Sequence, residues 1–111
     1  MLTVAEVPEY IRRAERLLTA DERRDLVNYL AVRPRAGVLL EGTGGVRKLR
    51  WGRQGRGKSS GVRVIYYYHS KIIPLYLLTL FAKNERANLT QGERNELAAL
   101  VDELVSAWLD R

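Results

Sequence analysis

The sequence predicts an α+β domain: a small antiparallel meander of strands, a helical hairpin before it and one helix after it. Three observations carry that class. Apolar residues recur at helical spacing near both ends of the chain. The spacing changes to alternation in the middle, and glycine, proline or capping residues mark each change. At 111 residues, with no internal repeat and no composition break, the chain forms one domain spanning 1–111.

Leu2-Thr3-Val4 is a candidate edge strand. Apolar residues then fall at Val7, Tyr10, Ile11, Ala14, Leu17 and Leu18, a helical stripe that tolerates Pro8 in its first turn. Thr19-Ala20-Asp21-Glu22 is a capping-box pattern that starts a second helix. Its apolar positions are Leu26, Val27 and Leu30, and Pro34 ends it near Arg33. So few residues separate the two helices that they form a hairpin.

From Gly37 the period changes. Gly42-Thr43-Gly44-Gly45 is turn chemistry, and Val46 to Trp51 then alternates. Arg47, Leu49 and Trp51 share one face of that strand, and Val46, Lys48 and Arg50 share the other. A basic, glycine- and serine-rich loop runs from Gly52 to Gly61. Val62 to Tyr68 is a strand rich in β-branched and aromatic residues, His69-Ser70-Lys71 is a turn, and Leu75 to Ala82 is a strongly apolar third strand. Such a run suits a central strand covered on both faces. Thr90-Gln91-Gly92-Glu93 is a second capping box, and Leu97, Leu100, Val101, Leu104 and Trp108 stripe the helix that follows.

Charge is segregated. Between Gly42 and Asn84 lie nine Lys and Arg residues (Arg47, Lys48, Arg50, Arg53, Arg56, Lys58, Arg63, Lys71 and Lys83) and no Asp or Glu. The rest of the chain holds ten basic residues against thirteen acids, a balance of −3. A +9 block of this kind repels itself unless something anionic covers it, and nearby aromatics make a phosphate-rich partner the fitting one. There are no cysteines, which excludes disulfides and cysteine-based zinc sites and fits a reducing compartment. The longest apolar run, Ile72 to Ala82, contains Pro74 and falls short of the ~20 residues of a spanning helix. With no signal-peptide pattern at the N-terminus, the expectation is a soluble cytoplasmic protein with no membrane partner.

One motif is refused. Gly52-Arg53-Gln54-Gly55-Arg56-Gly57-Lys58-Ser59 matches the phosphate-binding expression G-x-x-x-x-G-K-[ST]. That chemistry requires the loop to open a helix whose amides hold the phosphates, and here a strand follows. A basic hairpin loop is the reading that fits.

Lys48 and Arg50 leave one face of their strand, Arg63 lies on the next strand, and Lys83 ends the one after, so a meander can bring all four to one groove. His69 is the only histidine and reads as a polar turn residue; Glu85 is close enough in sequence to pair with Lys83. Of Tyr66, Tyr67 and Tyr68, at least two alternate into the core. Cations alone can serve RNA cleavage. A lysine crowded by other cations loses its proton more readily, and arginines stabilise the extra charge of a pentacovalent phosphate.

The segments Gly42-Thr43-Gly44-Gly45-Val46-Arg47-Lys48, Gly61-Val62-Arg63-Val64-Ile65-Tyr66-Tyr67 and Leu77-Leu78-Thr79-Leu80-Phe81-Ala82-Lys83-Asn84-Glu85 together resemble the RelE/ParE superfamily of bacterial type II toxins, and within it the HigB-like branch. The resemblance runs from about Ala31 onward. It implies a RelE-like antiparallel sheet flanked by helices. It implies an mRNA interferase, a ribonuclease that enters the ribosomal A site and cuts the message by attack of a 2′-hydroxyl on the adjacent phosphate, with no metal or cofactor. By the same resemblance Arg63 contacts the scissile phosphate, and Lys48 and Arg50 bind phosphate and help to activate the 2′-hydroxyl. Lys83 stabilises the transition state or protonates the leaving group. Arg47 joins the RNA-binding cations, Arg53, Arg56 and Lys58 suit ribosomal RNA, and Phe81 stacks on a base or packs in the core. The late aromatic residue of many relatives has only Trp108 as a counterpart, and its place on the apolar stripe makes it core. The implied protein partner is a helix-turn-helix antitoxin that binds operator DNA with the toxin. Two other functions compete: a gyrase poison from the same superfamily, which generally lacks the Arg63 and Lys83 pairing, and a non-catalytic RNA-binding module.

Overall fold

A computed structural model describes residues 2–52, 61–86 and 88–110. The elements in chain order are β1 (Val4–Glu6), α1 (Pro8–Leu17), α2 (Ala20–Val32), β2 (Val38–Leu39), β3 (Val46–Trp51), β4 (Val62–Tyr67), β5 (Leu75–Ala82) and α3 (Gln91–Leu109). The strands form one sheet in the order β1-β5-β4-β3-β2. An α+β fold with two successive helices before the meander and one after it is what the chain adopts.

Local chemistry sets the helix boundaries. Pro8 occupies the first turn of α1, where its missing N–H costs nothing. Both capping boxes are formed. Thr19 Oγ1 accepts from the Glu22 amide at 3.1 Å while Glu22 Oε1 accepts from the Thr19 amide at 2.8 Å. Thr90 and Glu93 repeat the exchange at 3.1 and 2.8 Å. Each box is worth about 1 kcal/mol to its helix.

The sheet departs from the sequence expectation in three ways. The edge strand is Val4–Glu6 rather than Leu2–Val4, because its partner β5 fixes the register: Val4 sits opposite Leu75, and Thr3 already accepts the Leu75 amide at 2.9 Å. That pairing is parallel, so the sheet is mixed rather than wholly antiparallel. The hairpin and the meander together form the long connection that a parallel return needs. Second, β2 was not expected. It is two exposed residues held against Lys48 and Arg47 of β3. Third, a bulge interrupts the β4–β5 ladder, with Ile65 opposite Thr79 but Tyr66 opposite Leu77. The extra residue reverses the side-chain parity along β5.

Two cores result, one on each face of the sheet. The hairpin face buries Tyr10, Ala14, Leu26 and Leu30 against Leu49, Val64, Tyr66, Leu77 and Leu80. The α3 face buries Val101 and Leu89 against Val46, Ile65, Tyr67, Leu78 and Phe81. Leu75 to Ala82 is indeed covered on both sides. Trp108, expected in the core, is half-buried and belongs to neither cluster; its Nε1 donates to the Tyr76 hydroxyl at 2.8 Å, tying α3 to β5.

A candidate phosphate-binding cleft

Register alone brings two of the expected site residues together. Arg50 of β3 pairs directly with Arg63 of β4, and Arg63 pairs with Phe81 of β5. One step of the pleat away, Lys48 lies opposite Ile65, which faces α3. Lys48, Arg50 and Arg63 therefore occupy the α3 face of the sheet. At the Arg50–Arg63 end a cleft of about 310 Å³ opens, lined by Arg50, Trp51, Gly52, Gly61 and Arg63.

Like charges directly opposite on neighbouring strands are unfavourable, and no described acid relieves this pair. Ion pairs among the described residues join Arg16 to Glu85, Arg23 to Glu6, Arg24 to Asp21 and Arg86 to Glu93. None uses Lys48, Arg50, Arg63 or Lys83. Partial burial and then the neighbouring Arg50 loosen the hold of Arg63 on its proton, although a guanidinium stays charged at physiological pH. The arrangement offers two charged, planar donor forks that no anion among the described residues pairs with. Such forks match the oxygens of a phosphate.

Lys83 occupies the exposed turn just after β5, and its backbone amide donates to Gly61 O at 3.0 Å. Its backbone is thereby fixed to a residue that lines the cleft. Lys48 Nζ donates to Asn88 Oδ1 at 3.2 Å. The cleft lining holds no His, Asp or Glu among the described residues. His69 lies beyond the opposite end of β4, exposed and bonded to Ser70 Oγ at 3.1 Å. No described cluster of three or more His, Cys, Asp or Glu is placed to hold a metal ion.

Four expectations need correction or fall outside the description. Arg47 points to the hairpin side, where its Nη1 donates to Gly37 O at 2.8 Å and Arg35 O at 3.3 Å. It braces a loop, and its alternation with Leu49 and Trp51 explains why. Phe81 is 1% exposed, with the Arg86 guanidinium 4.6 Å from its ring centre, so it packs in the core rather than presenting a face to a base. Glu85 does not pair with Lys83; its Oε1 accepts the Ala82 amide at 2.9 Å, and its Oε2 lies 3.9 Å from Arg16. Arg53, Arg56 and Lys58 lie outside the described residues. The next described element is the strand β4, where the phosphate-binding motif would require a helix.

Two neighbours of the site were not expected. Arg86 stacks over Phe81 and donates from Nη1 to both Glu93 oxygens at 2.7 Å. Asn88 holds Lys48. Both follow β5 and belong to no periodic run of the sequence, and Arg86 reaches the ring of a Phe81 that the bulge has turned toward α3.

A family model for the RelE toxin of the RelE/RelB toxin–antitoxin system matches residues 31–110. The matched stretch runs from the end of α2 through α3 and contains the whole cleft.

Proposed function

This chain belongs to the RelE toxin family of type II toxin–antitoxin systems, and from that premise we propose that it cuts mRNA on the ribosome. The observation that carries the proposal is the Arg50–Arg63 pair, set opposite each other at an open cleft with no acid among its described lining residues. Toxins of this family are generally endoribonucleases. In the proposed reaction the message lies across the α3 face with one phosphodiester at Arg63. The 2′-oxygen bonds to phosphorus as the 5′-oxygen leaves, giving a 2′,3′-cyclic phosphate and a 5′-hydroxyl end. The proton lost by the 2′-hydroxyl is balanced by the one gained at the leaving oxygen.

In this scheme Arg63 and Arg50 hold the non-bridging oxygens and stabilise the dianionic phosphorane. Lys48 and Arg50 orient and help to activate the 2′-hydroxyl. Lys83, anchored beside Gly61, stabilises the transition state or supplies the leaving-group proton. The chemistry draws on this chain's own cations and calls for no cofactor. Arg53, Arg56 and Lys58 contact ribosomal RNA. The family implies an antitoxin partner; a helix-turn-helix antitoxin, joint binding of operator DNA, a cytoplasmic setting and the HigB-like branch belong to the same proposal.

Mapping 5′ ends of cellular mRNA after induction tests the reading. New ends confined to translated regions are the expected result. Intact mRNA with stalled replication would identify a gyrase poison instead, and RNA binding without new ends would identify a non-catalytic module.

A further inference from the structure

A second cationic surface lies at the other end of the sheet. Arg63 and Tyr68 are separated by roughly 17 Å of strand at ~3.3 Å per residue, so this surface is distinct from the cleft. There α2 ends at Val32, the chain continues through Arg33, Pro34 and Arg35, and the β4–β5 turn brings Lys71 and Ile72. A cavity of about 300 Å³ opens between these segments, lined by Leu2, Ala31, Val32, Pro34, Tyr68 and Lys71. Val32 is 62% exposed and Ile72 is 73% exposed. Arg35 lies 5.1 Å from the centre of the Tyr68 ring. No described acid lines the cavity.

Resting on the toxin–antitoxin reading above, we propose that this patch anchors an acidic, amphipathic segment of the antitoxin. Exposed apolar side chains rimmed by cations call for a partner that brings both apolar groups and carboxylates. RNA suits the patch poorly. A phosphate backbone has no use for Val32 and Ile72, and Arg35 already covers a face of Tyr68 that a base would need. A second copy of this chain suits it no better, because a two-fold contact would set Arg35 and Lys71 against their own counterparts. The anchored segment leaves the Arg50–Arg63 cleft uncovered, so antitoxin binding and phosphate chemistry separate by mutation.

The test titrates purified chain with its cognate antitoxin and measures growth arrest in parallel. Val32→Ser/Ile72→Ser and Arg35→Glu/Lys71→Glu are each expected to weaken antitoxin binding roughly 10- to 100-fold while arrest persists. Arg35→Lys/Lys71→Arg keeps binding near wild type, and Arg63→Ala keeps binding while arrest is lost. Circular dichroism and thermal melting confirm folding, which the exposure of these side chains favours. Wild-type affinity in both disruptive doubles overturns the proposal. So does loss of ribosome binding with antitoxin binding intact, which makes the patch an RNA contact. If the wild-type chain binds no antitoxin, the toxin–antitoxin reading fails and the anchor with it.

Discussion

The two faces of the sheet use the same kind of residue for opposite purposes, and Arg47 and Lys48 show it from adjacent positions. Arg47 turns toward the hairpin, and its guanidinium donates to two backbone carbonyls of the Arg35–Gly37 loop. Lys48 turns toward α3, where it shares a face with Arg50 and Arg63 and donates to the amide oxygen of Asn88. One face consumes positive charge as structure, and the other leaves it available. Strand alternation therefore matters more than the density of basic residues in deciding which cation serves a phosphate. A +9 stretch read as one patch is in fact divided by the pleat.

The comparison breaks most sharply at Arg63. Arg63→Ala is expected to slow mRNA cleavage on the order of 10²- to 10³-fold, the usual loss when a donor to a developing anion is removed. Its melting temperature should stay near wild type, since the substitution also removes the unfavourable facing of Arg50 and Arg63. Lys83→Ala should relieve growth arrest as well. Full toxicity in both variants would falsify the catalytic assignment.

On the opposite face the pattern reverses. Tyr66 donates its hydroxyl proton to Pro34 O at 2.8 Å and accepts from the Gly37 amide at 2.8 Å. Burial holds that hydroxyl in its protonated form. Gly37 has no room for a side chain, because an added Cβ would lie 2.8 Å from Tyr66 Cε1 and 3.0 Å from Lys48 O. Arg47→Met, Tyr66→Phe and Gly37→Ala should each destabilise the fold by about 1–3 kcal/mol in urea unfolding. Cleavage per folded molecule should be nearly unchanged. An Arg47→Met protein that melts like wild type but fails to cut would move Arg47 back among the RNA-binding cations.

Much of this division was legible in the sequence. The capping boxes at Thr19 and Thr90 fixed two helix starts, since their geometry is set by residues three apart. Alternation placed Arg47 with Leu49 and Trp51, and Lys48 with Arg50. Grouping Arg47 with the RNA-binding residues followed the charge block, whereas alternation sets it on the opposite face from Lys48, where it donates to Arg35 O and Gly37 O. Other features leave no local trace. β2 is too short to show a period, and both its residues are exposed. The parallel partner of β1 is a long-range choice. Phe81 illustrates the deepest difficulty: simple alternation sets it with Leu75 and Leu77, and only the bulge opposite Ile65 and Tyr66 turns it to the α3 face. A one-residue shift in pairing, invisible in composition, decides what lies beside Arg63.

The smallest expected effect tests the border between the faces, where Arg86 covers Phe81 and is held by Glu93. The Glu93 carboxylate is kept below its ordinary proton affinity, first by the Thr90 amide and then by Arg86. A carboxylate depressed in the folded state stabilises fully above its unfolded value of about 4.5 and loses that contribution as pH falls through the lower folded value. Glu93→Gln keeps an oxygen for the Thr90 amide but removes the charge that holds Arg86. Near pH 7 it should cost roughly 0.5–1 kcal/mol, a figure set by a half-exposed pair and one capping bond. The difference in melting temperature between variant and wild type should then narrow as pH is lowered past 4.5. A constant difference across that range would mean that Glu93 contributes through shape and capping alone, and that Arg86 stays over Phe81 without it.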